Sequence, residues 1–268
     1  MKSKFIPLLI IAITPLSGCN NLKNENAIIA TNNLEKSPIE LTAANLEYLI
    51  NQKYSFPLLT YKNGCSSCDK AKENIKTVSS QLEYAIYEIE MYQTNIDYLV
   101  GKLPNHFSKD DYYPSLYIID RGQISYKAHY NDLLNLQNVK KLIKAYSIDS
   151  SIFLTSSLES FNSFKEKNQN FLTYIYSSDG DDGSFFYSEK LFPLASKSNK
   201  KTLIIDKCAA KTELVNEINQ SISNTYRSIS IFENGQTKTT LDLEEQSGDD
   251  ISNLLFSFFD VNPVSRSR

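Results

Sequence analysis

One stretch of the sequence decides the fold, and it reads Phe56-Pro57-Leu58-Leu59-Thr60-Tyr61-Lys62-Asn63-Gly64-Cys65-Ser66-Ser67-Cys68-Asp69. An apolar run typical of a buried strand is followed by a short polar break and then by two cysteines three positions apart. Beyond the break, apolar residues recur at helical spacing, and these are Cys68, Ala71, Ile75, Val78 and Leu82. The pattern predicts a strand, a short loop and a helix that begins at the cysteine pair.

A cysteine at the start of a helix is chemically activated. Cys65 is expected where unpaired backbone N–H groups and the positive end of the helix dipole favour a thiolate. In such places a thiol pKa of about 8.5 falls by several units. Cys68 follows one turn later, in a position to attack a mixed disulfide formed by Cys65. The spacing therefore predicts a nucleophilic thiol and a resolving thiol.

A second motif lies downstream and reads Tyr112-Tyr113-Pro114-Ser115-Leu116-Tyr117-Ile118-Ile119-Asp120-Arg121-Gly122-Gln123. It places a proline at the mouth of a predicted β-hairpin. With the two cysteines before it, the chain resembles the thioredoxin superfamily. The resemblance implies that Pro114 follows a cis peptide bond and faces the Cys65–Cys68 pair. It also implies that Tyr113 lines the groove in which a substrate peptide binds.

The resemblance implies thiol–disulfide exchange on protein cysteines, with an unidentified redox partner and no cofactor beyond the two thiols. The chain departs from the family at two places. It has no Trp, and Ser66 and Ser67 stand between the cysteines, where their hydroxyls are placed to stabilise a thiolate and make the couple more oxidising. Leu59 occupies the position at which many thioredoxins carry a buried carboxylate.

The composition argues against some other classes of function. A net charge of −3 and an isoelectric point near 5.6 give no argument for nucleic-acid binding. The two histidines, His106 and His129, have no second histidine at ligand spacing, so no metal site is predicted. A hydrophobic share of 41% is enough for globular cores.

The N-terminus has the pattern of a targeting segment. Lys2 and Lys4 precede an apolar run over residues 5–13, and the sequence Leu16-Ser17-Gly18-Cys19 matches the bacterial lipobox. We expect residues 1–18 to be a lipoprotein signal peptide and Cys19 to carry lipid. The alternative is an ordinary secretory signal with an incidental cysteine.

A lipid on Cys19 would hold the protein at a membrane, outside the cytoplasm, on the cell surface or the periplasmic face. That compartment permits disulfides. Residues 19–38 are rich in Asn, Lys, Glu and Ser, and this composition predicts a flexible tether.

An internal repeat predicts two domains. The sequence of residues 39–44 is echoed at 152–157, that of 113–118 at 226–231, and Gly122-Gln123 at Gly235-Gln236, each with an offset of 113. The fold class is therefore α/β, with two tandem thioredoxin-like domains over residues 39–147 and 148–262. Each is expected to have a central mixed sheet flanked by helices, and a short tail covers residues 263–268.

The second copy lacks the elements of the exchange reaction. Residues 177–184 replace the cysteine loop, and Arg227 stands at the position of Pro114. The acidic residues between Asp179 and Asp182 invite a calcium-site interpretation, but a solvated turn is favoured because no EF-hand glutamate follows. Cys208 has no evident partner and is expected to be a buried, inert thiol.

Three functions fit the sequence. The leading hypothesis is a membrane-anchored, extracytoplasmic thiol–disulfide oxidoreductase that uses Cys65 and Cys68. A non-catalytic lipoprotein with a structural Cys65–Cys68 disulfide is the alternative, favoured by Leu59 and by the inactive second copy. A copper-handling chaperone ranks last, because it needs a His or Met beside the thiols and Met91 is the only methionine after the first residue.

Overall fold

Two mixed β-sheets, one in each half of the chain, form the framework of the computed structural model, which describes residues 27–177, 186, 190–223, 225 and 227–261. The predicted signal peptide, Cys19 and the predicted tail therefore lie outside the described residues. In the first half the strands are β1 Ile28–Ile29, β2 Asn32–Asn33, β3 Ile39–Glu40, β4 Phe56–Tyr61, β5 Tyr87–Glu90, β6 Ser115–Asp120, β7 Gln123–Ala128 and β8 Ser147–Ile148. The helices there are α1 Ala43–Asn51, α2 Ser66–Leu82, α3 Gln93–Lys102, α4 Tyr130–Leu133 and α5 Leu136–Ala145.

The second half contains strands β9 Ile152–Leu154, β10 Phe171–Tyr176, β11 Lys201–Asp206, β12 Ser228–Glu233 and β13 Gln236–Asp242. Its described helices are α6 Leu158–Lys167, α7 Phe192–Ala195, α8 Thr212–Ser221 and α9 Gly248–Phe259. In both halves the expected mixed sheet flanked by helices is confirmed.

The five-stranded sheet of the first half has the order β3-β5-β4-β6-β7. β3, β4 and β5 are parallel, whereas β6 and β7 are antiparallel to their neighbours. All six side chains of β4 are buried, because β4 is central in the sheet and both sheet faces are covered. α2, α4 and α5 pack on one face, and α1 and α3 on the other.

One helix of the first half differs from the sequence-based prediction. Apolar residues at helical spacing predict a single helix over residues 133–146, but Asn135 interrupts it. Its side chain accepts hydrogen bonds from the backbone N–H groups of Gln137 and Asn138, which makes it the N-cap of α5. The break turns the chain from the end of β7 onto α2.

The second sheet repeats the topology of the first. Its order is β13-β12-β10-β11-β9-β2, and β9 to β13 show the same sequence of parallel and antiparallel pairs as β3 to β7. The register agrees with the offset of 113, since Ser115 opens β6 and Ser228 opens β12. The additional strand, β2, comes from the N-terminal segment.

Residues 27–38 are an ordered strap that joins the two halves, and the expectation of a flexible tether up to residue 38 is wrong for this part. Ile28 and Ala30 are buried in the core of the first half. Asn32 donates side-chain hydrogen bonds to the carbonyls of Ser150 and Ile152, both at 3.0 Å. Burying the Ile28 side chain alone stabilises the fold by roughly 1.5–3 kcal/mol. This segment is therefore ordered although its polar composition predicts a flexible tether. An isolated first half would need to begin at residue 27 rather than 39.

Glu35 fixes the strap to the second half. Its carboxylate accepts hydrogen bonds from the backbone N–H groups of Ser156 and Ser157, at 3.0 and 3.2 Å, and from nearby hydroxyls. Ser157 is the N-cap of α6. The sequence Ser156-Ser157-Leu158-Glu159 predicts a capping box, in which a glutamate side chain accepts a hydrogen bond from the backbone N–H of the N-cap residue. In the structure the carboxylate that accepts from the Ser157 N–H belongs to Glu35, which is 122 residues earlier in the chain. Burial raises the pKa of Glu35, but the hydrogen bonds lower it by more, so the net shift is downward.

The two halves also meet directly. Tyr84 donates its hydroxyl to the carboxylate of Asp149, and Tyr54 packs against the core of the second half. A cleft of about 380 Å³ remains between them, lined on one side by α1 and β3 and on the other by the ends of β10 and β11. Of the described helices, none combines the length and the apolar character needed to cross a membrane.

Glu35→Ala should destabilise the protein by about 1–3 kcal/mol, because buried N–H groups at the start of α6 lose their acceptor. The pKa of Glu35 is lower in the folded than in the unfolded chain. Its contribution is therefore complete above the unfolded-state pKa and is lost as the pH falls through the folded-state pKa. Urea unfolding at neutral and acidic pH measures both effects. Glu166→Ala, at an exposed position on α6, should change stability by less than about 0.5 kcal/mol, and equal losses from both variants would contradict the capping role.

Candidate thiol–disulfide site

The site lies at the C-terminal end of β4. β4 ends at Tyr61, and the short loop that follows reaches the start of α2 at Cys65. Gly64 has a φ of +74°, a conformation that a side chain disfavours, although a Cβ there would meet no neighbouring atom. The glycine therefore allows the turn that places Cys65 at the start of α2.

Cys65 is the N-cap of α2 and is half-buried. Its Sγ accepts a hydrogen bond from the backbone N–H of Cys68 at 3.3 Å. The hydroxyl of Ser67 lies 3.1 Å from the same sulfur. Hydrogen bonding to the side chains of Cys68 and Ser67 lowers the pKa of Cys65, and burial opposes the shift. Of the two serines that the sequence offered, the structure places Ser67 against the sulfur.

Cys68 is fully buried, in the core between β4 and α2. Its Sγ accepts a hydrogen bond from the backbone N–H of Lys62 at 3.5 Å. Burial and the neighbouring Cys65 raise the pKa of Cys68 to about 11. The two thiols are unbonded in this structure. Cys65 is therefore the more readily ionised of the two thiols, and Cys68 is the one that stays protonated.

Pro114 lies beside the cysteine loop. The Tyr113–Pro114 peptide bond is cis, as the resemblance implied. β6 is antiparallel to β4 and pairs Ser115 with Thr60, so the residue before Ser115 stands level with the end of β4. The hydroxyl of Ser115 donates to the carbonyl of Tyr112 at 2.6 Å and holds this loop in place. The pairing of β6 with β4 therefore brings the Tyr113–Pro114 loop to the end of β4 from which the cysteine loop emerges.

Tyr113 packs beside Cys65 against the same core cluster. The Nζ of Lys62 lies 4.7 Å from the centre of the Tyr113 ring, within the range of a cation–π contact. Burial raises the pKa of Tyr113 to about 12, which keeps the phenol neutral. Tyr112, before it, is 81% exposed and forms the outer rim.

Lys62 was not identified from the sequence. It donates its backbone N–H to the sulfur of Cys68 and its side chain contacts the Tyr113 ring, so it links Cys68 to the proline loop. A single lysine after a strand carries no recognisable pattern. Its location next to the cysteine loop was the one available signal.

The sequence also missed a polar group on the α2 face of the sheet. Leu59 is fully buried, and its partner across the sheet is Glu88 on β5. Lys72 on α2 lies 3.7 Å from the Glu88 carboxylate and 3.7 Å from the centre of the Tyr61 ring. Burial raises the pKa of Glu88 although Lys72 opposes the shift. A glutamate between two apolar residues, Tyr87 and Ile89, was the available signal.

Met91 lies apart from the thiols. It is fully buried in the core under α1 and α3, whereas Cys65 and Cys68 belong to the core on the other face of the sheet. Since a copper-handling site needs a soft ligand beside the thiols, this placement argues against the copper hypothesis.

In the second half, only part of the region that corresponds to the site lies among the described residues. Arg227 directly precedes β12, as Pro114 precedes β6, and its Nε lies 3.6 Å from a carboxylate oxygen of Glu244. The predicted turn from Asp179 to Asp182 falls outside the described residues. Cys208 is exposed, so the expectation of a buried thiol is wrong. It follows the end of β11 and borders the cleft between the halves, with its Sγ 3.1 Å from the Ser177 hydroxyl.

Comparison with known proteins gives no family assignment. No family model matches the chain, and no curated protein matches it. Among solved structures, a thioredoxin from Plasmodium falciparum aligns at 13% identity over 39% of this chain and 96% of its own, with a TM-score of 0.32. A mutant thioredoxin from Halobacterium salinarum NRC-1 aligns at 16% identity over 41% and 91%, with a TM-score of 0.33.

Another solved structure, of a longer protein, aligns with most of this chain. The zinc-bound form of human ERp44 matches 82% of this chain and 57% of its own, at 9% identity and a TM-score of 0.32. Scores of this size carry no argument about activity. The description of the site therefore rests on the strand order, the cysteine pair and the cis-proline loop of the chain itself.

Cys65 should be alkylated before Cys68 in the reduced protein, because its pKa is lowered and the pKa of Cys68 is raised. Ser67→Ala should move the labelling midpoint of Cys65 to higher pH and slow its reaction several-fold at neutral pH, since a hydrogen bond to the thiolate is lost. The pH dependence of iodoacetamide labelling, read by mass spectrometry, measures both. Ser66→Ala is the matched control and should leave the midpoint in place. Equal rates for the two thiols would contradict the assignment.

Proposed function

We propose that the protein is a membrane-anchored, extracytoplasmic thiol–disulfide oxidoreductase that acts on protein cysteines through the Cys65–Cys68 couple. The observation that carries the proposal is the contrast between the two thiols. Cys65 is accessible, with a lowered pKa, at the start of a helix, and Cys68 is fully buried with a pKa raised to about 11. Two cysteines that only formed a structural disulfide would not need this difference in exposure and pKa.

The reaction follows from the positions of the two sulfurs. The Cys65 thiolate attacks a client disulfide, and a mixed disulfide forms while one client sulfur leaves as a thiolate. Cys68 then loses its proton and attacks the Cys65 sulfur, which releases the second client thiol and leaves a Cys65–Cys68 disulfide. The client gains two electrons and the pair loses two. The reverse sequence oxidises a client, and a separate redox partner restores the pair in either direction.

The groove beside Pro114 is proposed to hold the client chain. Tyr113 and Pro114 line it on one side, and the Cys65 loop lies on the other. The cation–π contact of Lys62 with Tyr113 connects the two sides. An extended client segment at this place would bring its disulfide to the more accessible sulfur.

The second half is proposed to be a degenerate thioredoxin-like domain that acts as a scaffold. The ends of β10 and β11 correspond to the end of the first sheet that carries the thiols. Tyr176 and Asp206 at those ends face Glu40 and Tyr48 of the first half across the cleft. The first half therefore occupies the side on which a client would approach.

The alternative is a non-catalytic lipoprotein in which Cys65 and Cys68 form a structural disulfide. The full burial of Cys68 and the leucine at position 59 favour it, because a fixed disulfide needs no proton acceptor. The lowered pKa of Cys65 and its contact with Ser67 favour the catalytic function instead.

Cys68→Ala should trap a mixed disulfide through Cys65, because the resolving thiol is gone. The trapped species is read by non-reducing gel electrophoresis and mass spectrometry, and turnover by the reduction of insulin, which should fall to background. Cys208→Ala is the matched control and should retain turnover and trap nothing. A folded Cys68→Ala variant that forms no adduct with any disulfide substrate would support the structural alternative.

Cys19 is proposed to be the acylated N-terminus of the mature protein. The lipobox at residues 16–19 supports it, and so does the site, since thiol–disulfide chemistry suits an extracytoplasmic location. Mass spectrometry of the membrane fraction should find Cys19 N-terminal and acylated. An unmodified peptide that runs through Gly18-Cys19 would refute the lipid anchor and would not bear on the proposed reaction of Cys65 and Cys68.

A further inference from the structure

The C-terminal corner of the first half carries positive charge and an exposed apolar side chain. Lys141 and Lys144 are exposed on α5, and Lys140 is half-buried with its Nζ 2.7 Å from the side-chain oxygen of Gln81. α5 contains no acidic residue. Ile148 follows on β8 and is 36% exposed. Lys140, Lys141, Lys144 and Ile148 are named the α5 corner here.

Carboxylates around the α5 corner have other partners. Asp149 accepts a hydrogen bond from the Tyr84 hydroxyl, and Glu83 pairs with Lys36 at 2.6 Å. None of the three lysines forms an ion pair with another described residue. Lys144 also lies in the last turn of its helix, where the dipole favours a cation over an anion.

The N-terminal segment enters the structure at this corner. The backbone N–H of Ile28 donates to the carbonyl of Tyr146, and β1 pairs with β8. Ile29 and Ile148 are direct partners in that pairing. Seven residues, 20–26, lie between Cys19 and residue 27, and the eight steps of roughly 3.3–3.6 Å reach at most about 26–29 Å. The ordered strap thus shortens the tether to less than half of the roughly 65 Å that 19 extended residues would span.

We propose that the α5 corner docks on the anionic lipid surface to which the protein is anchored. The inference rests on the anchoring part of the proposed function and adds a second contact with the membrane. Basic residues beside a lipid anchor strengthen its attachment to an anionic membrane surface. Lysines close to an anionic surface contribute about 1 kcal/mol each, which is about fivefold in binding. Ile148 would supply an apolar contact next to them.

Docking at this corner would direct the reactive thiol away from the membrane. Lys140 contacts Gln81, near the C-terminal end of α2, whereas Cys65 stands at the N-terminal end. A helix of 17 residues is about 25 Å long at 1.5 Å per residue. Cys65 and the Pro114 loop would then face the aqueous phase, where client proteins are found.

The test uses the chain from residue 20 onwards, which keeps every described residue but carries no lipid. Its binding to sucrose-loaded vesicles of phosphatidylglycerol or of phosphatidylcholine is measured by sedimentation. We expect binding to phosphatidylglycerol alone, lost at high salt because ions screen the attraction. Lys141→Gln with Lys144→Gln should weaken binding roughly 25-fold. Lys167→Gln with Lys211→Gln removes two exposed lysines of the second half and should leave binding unchanged.

Tryptophan fluorescence tests the orientation, because the chain contains no Trp. Ile148→Trp should show a blue shift and quenching by brominated lipid on phosphatidylglycerol vesicles. Tyr112→Trp, at the exposed rim of the site, should show neither. Equal loss of binding in the two double-lysine variants, equal binding to both lipids, or quenching at position 112 but not 148 would overturn the proposal. An unacylated Cys19 together with selective vesicle binding would refute the anchor and leave the α5 corner as the membrane contact.

Discussion

The hydrogen bond from the Cys68 N–H to the Cys65 sulfur is the interaction on which the site depends. It makes a cysteine the N-cap of α2, a place that usually takes Ser, Thr, Asp or Asn. The same bond that completes the first turn of the helix stabilises a thiolate. Folding of α2 and activation of the thiol are therefore one event. The burial of β4 on both faces fixes where that event takes place, since the loop can only emerge at the end of the strand.

The asymmetry between the two sulfurs follows from the geometry of a helix lying on a sheet. The N-cap stands at the rim, where one side of the sulfur meets solvent, and the residue one turn later points into the core. Burial then opposes ionisation of Cys68, while the helix start favours it at Cys65. Ser67 strengthens the thiolate further. Stabilising the reduced form in this way makes a couple more oxidising.

The strap explains how two similar halves form one body. It contributes a strand to the second sheet, apolar side chains to the core of the first half, and the carboxylate of Glu35 to the start of α6. A segment with these contacts is part of both halves. It also limits how far the site can lie from the proposed lipid anchor, because Cys19 is eight positions before residue 27.

The sequence by itself determined the local elements. Apolar periodicity predicted β4, α2 and the hairpins, the cysteine spacing predicted the two thiol roles, and the offset of 113 predicted a repeated topology. These features depend on residues close together in the chain, so their patterns are visible in it. Only the folded structure shows that Glu35 accepts hydrogen bonds at the start of α6 and that Cys208 is exposed. Contacts between segments more than a hundred residues apart leave no periodicity in the sequence, so the polar composition of the strap predicted a flexible tether. The exposure of a residue such as Cys208 depends on which segments pack beside it, and that too is absent from the local sequence.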